Sequence, residues 1–354
     1  MTPLARLLTA RIAVNGPVTV AEFMADCLLH PEHGFYTTRD PFGVDGHFTT
    51  SPEISQMFGE LLGLALAQSW LDQGAPSPFI LAELGPGRGT LMADVLRATK
   101  GVPGFHNAAR VTLVEASPFL RDRQRAALGQ YKPLWIDGVD ALPEAPLYLI
   151  ANEFFDALPI RQFQRDGNAW RERQVGLADG ALCFGQSSAT PRPQLAHRHD
   201  DTKTGDVVET CAPATVIVET IAERIKAHGG TALILDYGDW RSQGDTLQAL
   251  RAHRSEDPLT NPGEADLTAH VDFEALANAA HGINHTRLTT QGVFLERLGI
   301  TERAQVLAQN LTGAALDGHI VAHRRLTHPA EMGSLFKVIG LHPNGTAAPP
   351  GLES

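Results

Sequence analysis

The chemistry-bearing residues of this chain gather where apolar runs end. Phe79–Leu84 reads FILAEL and passes into Gly85-Pro86-Gly87-Arg88-Gly89-Thr90, so an acid at Glu83 precedes three alternating glycines and a helical pattern. Such a loop lets backbone approach a ligand closely and aims helix N-terminal amides at it. The spacing is not the G-x-G-x-x-G of a dinucleotide site, and no Gly-Lys-Ser/Thr ends it as in a P-loop. A pyrophosphate would be repelled by Glu83, whereas the ammonium of a methionine moiety would be welcome there. A second apolar run ends at Glu115, placed to accept hydrogen bonds from both hydroxyls of a ribose. A third ends at Asp137, which could face an adenine amino group. The fourth runs into Asn152-Glu153-Phe154-Phe155-Asp156, two acids enclosing two aromatic rings. Taken singly, each acid could be a turn or cap carboxylate, and Asn152 could open a helix whose dipole favours the acids after it. Acids at three successive strand ends on one sheet edge are hard to explain as packing.

These residues need a scaffold that aligns strand ends. From residue 79 onward apolar strands alternate with helical patterns: strands at 79–84, 111–115, 134–137 and 147–152, with helices near 90–98 and after Ser117-Pro118, a serine cap with proline at the first helical position. The alternation predicts parallel strands joined by right-handed crossovers. Residues 4–75 read as mainly helical around a Gly-, Pro- and His-rich centre. Between 160 and 215, polar alternating segments punctuated by Asp166-Gly167 and Asp179-Gly180 predict antiparallel hairpins. A helix at 214–228, a strand at 232–236, helices around 271–281 and 301–313 and a closing strand near 334–339 follow. The expected fold is α/β and doubly wound. We divide the chain into an N-terminal helical lid (1–75) and a main domain (76–354) carrying the insertion at about 160–215.

Composition narrows the function classes. Of 354 residues, 43% are hydrophobic and 19% charged, as in an ordinary globular protein, and no run approaches the roughly 20 apolar residues of a membrane span. The net charge of -11, without a Lys/Arg stripe, argues against nucleic acid and favours a neutral or cationic substrate. Cys27, Cys183 and Cys211 form no CxxC pair, which supports neither a zinc site nor a disulfide framework. His30, Glu32 and His33 have metal-like spacing inside a turn without a partner cluster, so no metal is expected.

ELGPGRGT (83–90), NEFFDALP (152–159), TSPEISQMFGE (50–60), DYG (236–238), DLTAHVDF (266–273) and MGSLFKV (332–338) resemble the signature blocks of the MidA family. These are class I S-adenosylmethionine-dependent methyltransferases, whose mitochondrial members help assemble respiratory complex I by dimethylating an arginine of a core subunit. The resemblance spans nearly the whole chain. It implies a Rossmann-like, mostly parallel seven-stranded sheet and S-adenosylmethionine as cofactor. The implied partner is an arginine-bearing protein, with a complex I core subunit as the candidate the resemblance offers. Gly85, Gly87 and Gly89 match the glycine motif and Glu115 the ribose acid. Glu153 and Asp156 match the acid-aromatic-aromatic-acid element, and Asn152 stands beside them. Ser51 and Glu53 lie in an N-terminal block expected to close over the site, although Ser51-Pro52 also reads as a helix cap. Without a clear presequence, a bacterial cytoplasmic protein is expected, with the mitochondrial matrix as the alternative.

The implied chemistry is positioning and charge management. A guanidinium is a poor nucleophile, and a carboxylate gripping it can draw charge to the far nitrogens. Glu153 is the first candidate for that grip, Asp156 or Asp236 the second, with Phe154, Phe155 and Tyr237 as walls. The competing expectations are a donor-binding assembly chaperone without turnover and a small-molecule methyltransferase with a deep slot closed by residues 42–53.

Overall fold

A computed structural model describes residues 1–38 and 50–353. Most of the 42–53 segment expected to close a slot lies outside the described residues. The chain divides into two compact units: Thr49–Phe155, Val216–Gly238 and Phe273–Ser354 form one, and Met1–Phe48, Asp156–Thr215 and Asp239–Asp272 form the other.

The first unit is built on a mostly parallel sheet. Its main strands are β1 (Phe79–Leu84), β2 (Ala109–Val114), β3 (Leu134–Ile136), β4 (Leu147–Asn152), β5 (Gly230–Asp239), β6 (Asn284–His285) and β7 (Phe336–His342), with the two-residue strands Val271–Asp272 on β5 and Thr289–Thr290 on β7. They lie in the order β3-β2-β1-β4-β5-β7-β6, parallel from β3 to β5, with β7 antiparallel to β5 and β6 antiparallel to β7. This is the Rossmann-like sheet expected from the sequence. Every residue of β1 and β4 is buried, as continuous apolar runs in a sheet covered on both faces require. The order reverses between β1 and β4, and ligands of open α/β sheets bind beyond the strand ends at such a switch point.

Helix α1 (Gln56–Asp72) buries Met57, Phe58, Leu61, Leu62, Ala65 and Leu66 in the core that also holds Leu91, Met92 and Val95 of α2 (Thr90–Ala98). The two helices approach closely because Gly59 and Gly63 face α2. A Cβ on Gly59 would lie 2.7 Å from Asp94 Cβ, and one on Gly63 2.8 Å from Val95 Cα. A buried acid fastens the contact: Glu60, 4% exposed, accepts from Arg97 of α2 and from Arg303 Nε at 2.8 Å. Helix α3 (Pro118–Leu128) starts as its sequence predicts, with Ser117 Oγ accepting from Leu120 N–H and Pro118 at the first turn. The region after 313 departs from expectation. A further helix, Ala314–Thr327, buries only Leu326, so it lacks the apolar stripe that would have marked it in the sequence.

The second unit is antiparallel. Strands Val18–Thr19, Ala169–Ala178, Arg161–Asp166 and Val207–Thr210 pair in that order, with Ala181–Gln186 on Ala169–Ala178. The hairpin at Asp179-Gly180 forms as predicted, both residues at positive φ in the two-residue turn between Ala178 and Ala181. The division differs from the linear one read from the sequence. Helices Pro3–Asn15 and Val20–Leu29 share a core with Ile160, Val175, Ala249 and Leu267, so the N-terminal segment packs with the insertion. A second insertion, 239–272, completes this unit with the sheet Arg254–Glu256, Gln248–Arg251, Asp266–Thr268. Asp266 opens a strand of this sheet, where its Oδ1 accepts from Tyr36 Oη at 2.8 Å.

The Glu60 clamp makes a stability prediction. Burial raises its carboxyl pKa, but the hydrogen bonds and charges of Arg303 and Arg97 outweigh that and hold it below the ordinary value. A depressed carboxyl contributes stability that is present above its unfolded pKa and is lost as pH falls through the lower, folded value. Glu60→Ala should cost about 1–3 kcal/mol at neutral pH, because both arginines reach solvent. Urea unfolding at pH 7 and pH 3 should show that cost shrinking in acid; an unchanged difference would remove Glu60 as a charge clamp.

Candidate functional site

The residues singled out by the sequence fall mainly on the carboxyl edge of the parallel sheet. Glu83 in β1 is 3% exposed. Burial pushes its carboxyl up to about 8, against a hydrogen bond from the Met92 backbone and with added repulsion from Glu115. Its Oε2 has no hydrogen-bond partner among the described residues. Thus Glu83 meets the first turn of α2 with one oxygen and leaves the other unsatisfied.

The glycine loop follows. Gly85, Gly87 and Gly89 stand at φ +57, +51 and +85, a region that residues with a Cβ rarely adopt. Gly85 N–H donates to Val114 O at 3.0 Å and Gly89 N–H to Pro86 O at 2.7 Å, which folds the loop back over the ends of β1 and β2. A Cβ on Gly85 would meet the Phe154 ring at 2.8 Å, so the ring after β4 rests directly on the loop.

Glu115, just beyond β2, is 8% exposed, and burial raises its pKa. Its Oε1 accepts from Ser117 N–H at 2.8 Å and its Oε2 from Gln124 Nε2 at 3.1 Å. Gln124 also donates to Gly87 O at 2.8 Å and accepts from Trp135 Nε1 at 2.8 Å. This fully buried glutamine joins the glycine loop to the second acid. Sequence reasoning missed it, because a glutamine among the charges of α3 gives no signal of burial. Asp137 lies beyond β3, which ends one residue earlier than expected; its side chain is 91% exposed and pairs with Arg121 at 2.6 Å.

Beyond β4 the chain turns sharply. Glu153 adopts φ +51, a left-handed conformation unusual for a non-glycine residue and common at functional sites. No helix starts here, so Asn152 is not a cap. Two interactions hold the turn: Glu153 N–H donates to Leu235 O at 2.9 Å, and Asp236 Oδ2 accepts from Phe154 N–H at 3.1 Å and Phe155 N–H at 2.9 Å. Asp236 Oδ1 takes Tyr237 N–H at 2.9 Å, so this fully buried acid is occupied by backbone donors. Glu153 is used differently. Its Oε1 accepts from Ser51 N–H at 2.8 Å and Asn152 Nδ2 at 3.1 Å, while no hydrogen bond to Oε2 is seen among the described residues. Burial raises its pKa, with Ser51 and Asn152 opposing.

The short helix Ser51–Ile54 has Thr50 at its N-cap position, one residue earlier than the sequence suggested, and the Ser51 N–H of its first turn donates to Glu153. Glu53 Oε1 accepts from Thr90 Oγ1 at 2.5 Å and Oε2 lies 3.7 Å from Arg88. The segment therefore links the glycine loop to the turn after β4. Phe154 and Tyr237 are partly exposed, whereas Phe155 is buried. Asp156 belongs to the antiparallel unit, is 6% exposed and accepts from Ala269 N–H through its carbonyl.

Two unsatisfied buried acceptors, Glu83 Oε2 and Asn152 Oδ1, flank a glycine loop that a Cβ would obstruct. That pair of acceptors fits a zwitterionic nucleoside with a cationic end better than a phosphate. Among the described residues no helix is long and apolar enough to cross a membrane.

Comparison with known proteins agrees with this chemistry. Residues 61–292 match the family model described as "Putative S-adenosyl-L-methionine-dependent methyltransferase". The chain is 37% identical to "Protein arginine methyltransferase NDUFAF7 homolog, mitochondrial" of Drosophila melanogaster, covering 98% of this chain and 86% of that one. It is 36% identical to the Homo sapiens "Protein arginine methyltransferase NDUFAF7, mitochondrial", covering 97% and 84%. A solved structure from Burkholderia thailandensis, a "likely methyl transferase" bound to S-adenosyl-homocysteine, superposes with a TM-score of 0.84 at 31% identity, over 98% of this chain and 93% of that one. The mitochondrial names of these relatives overturn the cytoplasmic expectation, which rested on the look of the first residues and on nothing in the fold. The donor cofactor is S-adenosylmethionine, and the chain belongs to this family of S-adenosylmethionine-dependent methyltransferases.

Proposed function

We propose that the enzyme methylates an arginine side chain on a protein, with a respiratory complex I subunit as the substrate to test first. The observation that carries this reading is the state of Glu153. One oxygen is fixed by two N–H donors and the other takes no hydrogen bond among the described residues, on a turn held in a left-handed conformation. An oriented carboxylate with an open oxygen suits a planar guanidinium, which carries five N–H donors and no acceptor. The arginine methyltransferase names of the relatives support the same acceptor.

When bound, S-adenosylmethionine supplies a methyl on a positively charged sulfur. The chain's own residues then place the acceptor. Glu153 would hold the guanidinium and draw its charge away from the attacking nitrogen. Asp236 acts at one remove, by fixing the backbone of Phe154 and Phe155 and hence the direction of Glu153. Phe154 and Tyr237 would limit water around the slot. Glu83, Glu115 and Asn152 would serve the donor, with Gly85, Gly87 and Gly89 giving its backbone clearance. No general base is required, because the methylated product can lose its proton after transfer.

Gly87→Val tests the donor loop. A β-branched residue at φ +51 adds about 1–3 kcal/mol of strain besides obstructing the ligand. Calorimetry on the folded variant should find donor affinity reduced roughly 100-fold or more; wild-type affinity would exclude the loop.

Glu153→Gln tests the acceptor grip. It keeps shape and an oxygen but removes charge, so donor affinity should survive while turnover falls about 100-fold or more. The wild type should lose activity as acid protonates Glu153, at a pH above the ordinary carboxylate range, and that acid limb should vanish from the residual activity of the variant. Assays need a complex I subunit peptide and whole lysate as acceptors. Normal methylation by Glu153→Gln would remove Glu153 from the mechanism. Assembly of its partner without methylation would favour a chaperone role.

A further inference from the structure

We propose that Arg325 selects the acceptor by binding an acidic side chain close in sequence to the methylated arginine, so that acid-flanked arginines are the preferred substrates. The inference rests on the reading of Glu153 as the grip on the acceptor. Arg325 lies in the last turn of the helix Ala314–Thr327, which buries only Leu326 and packs against the segment Ser51–Ile54. The Ser51 N–H of that segment donates to Glu153 Oε1 at 2.8 Å, so this helix borders the group that orients the acceptor acid. The charge of Arg325 bears on the same acid. Burial raises the Glu153 carboxyl, Ser51 and Asn152 oppose that rise, and Arg325 opposes it too.

The neighbouring basic residues are engaged within the fold. His323 Nε2 lies 3.0 Å from Thr301 Oγ1, and Arg324 Nε pairs with Glu331 at 3.0 Å. Arg325 is exposed and has no hydrogen bond or ion pair among the described residues. A cation in a last turn favours the helix dipole, but Arg324 serves that purpose equally well without its charge bearing on Glu153. Charge balance gives Arg325 a further task. The donor is cationic overall, with a sulfonium and an ammonium against one carboxylate, and the acceptor guanidinium adds a second positive charge. Glu153 offsets one of them. Arg325 would repel an incoming arginine unless the substrate carried an acid of its own. Its five N–H donors form a planar fork that matches a carboxylate bidentately. An acid beside the target arginine therefore turns repulsion into complementarity, and an arginine among basic residues is penalised.

The test uses the full chain with S-adenosylmethionine and two acceptor pools. One is a peptide library with a central arginine and varied flanking residues; the other is whole lysate, with methylarginine sites read by mass spectrometry. The wild type should prefer acid-flanked over uncharged-flanked arginines about 3- to 10-fold in kcat/KM, chiefly through KM, and the preference should shrink at high salt. Arg325→Ala should bring that ratio within about twofold, Arg325→Lys should keep part of it, and Arg325→Glu should reverse it in favour of lysine flanks. No preference in the wild type, or one that survives Arg325→Ala, would overturn the proposal. A loss of equal size on every flank would mean that Arg325 acts only on Glu153 or on its own helix, and would overturn it as well. Methylation of no arginine in either pool would instead overturn the acceptor reading beneath it.

Discussion

Asp236 has no access to solvent, yet its carboxylate oxygens end on three backbone N–H groups, those of Phe154, Phe155 and Tyr237. A buried carboxylate without partners would be very costly, and satisfying it with fixed amides removes that cost while pinning the chain. What it pins is the turn after β4, where Glu153 sits at φ +51. That strained conformation persists only because its surroundings over-determine it. The Leu235 carbonyl takes the Glu153 N–H, Asp236 takes the next two, and the Phe154 ring then comes to rest on Gly85. The parallel register of β4 and β5, with Asn152 opposite Leu235, brings these groups together.

The donor side follows a different electrostatic logic. Glu83 and Glu115 are buried carboxyls whose pKa values burial raises, and the charge of Glu115 adds to the shift at Glu83. Burial pushes the Glu83 carboxyl up to about 8. A carboxyl raised in this way makes stability fall as pH climbs from the ordinary carboxylate range through that value. An enzyme that handles a cationic donor has reason to keep such groups, because the ligand's positive charge compensates what the fold leaves unsatisfied. The tension between folded-state stability and ligand affinity is visible in one atom, the unpartnered Oε2 of Glu83.

The Ser51–Ile54 segment joins the two sides. Its Ser51 N–H orients Glu153, and its Glu53 reaches Thr90 at the start of α2. Helix α2 is set in turn by the close approach of α1 at Gly59 and Gly63 and by the Glu60 clamp. A short helix therefore couples the start of α2, just after the glycine loop, to Glu153 through two hydrogen bonds.

Much of this was legible in the amino-acid order. Period and punctuation reveal the parallel strands and their crossovers, because buried strands are continuous apolar runs and glycines or capped serines mark their ends. The glycine loop was legible for the same reason: three residues at positive φ leave few alternatives to glycine. The hairpin at Asp179-Gly180 was equally local. Other features depend on residues far apart in sequence. Sequence alone could not show that Asp236 holds the backbone N–H groups of Phe154 and Phe155, which are 82 and 81 positions away. Nor could it show that Gln124 joins the loop to Glu115, or that the N-terminal helices pack with the antiparallel strands. Glu153 marks the boundary. Its identity and neighbours pointed to a role, but its strained turn and its single held oxygen arise only where β4, β5 and Ser51 meet. Local pattern specifies which elements form; which buried polar groups satisfy one another is decided by packing, and that packing sets the chemistry.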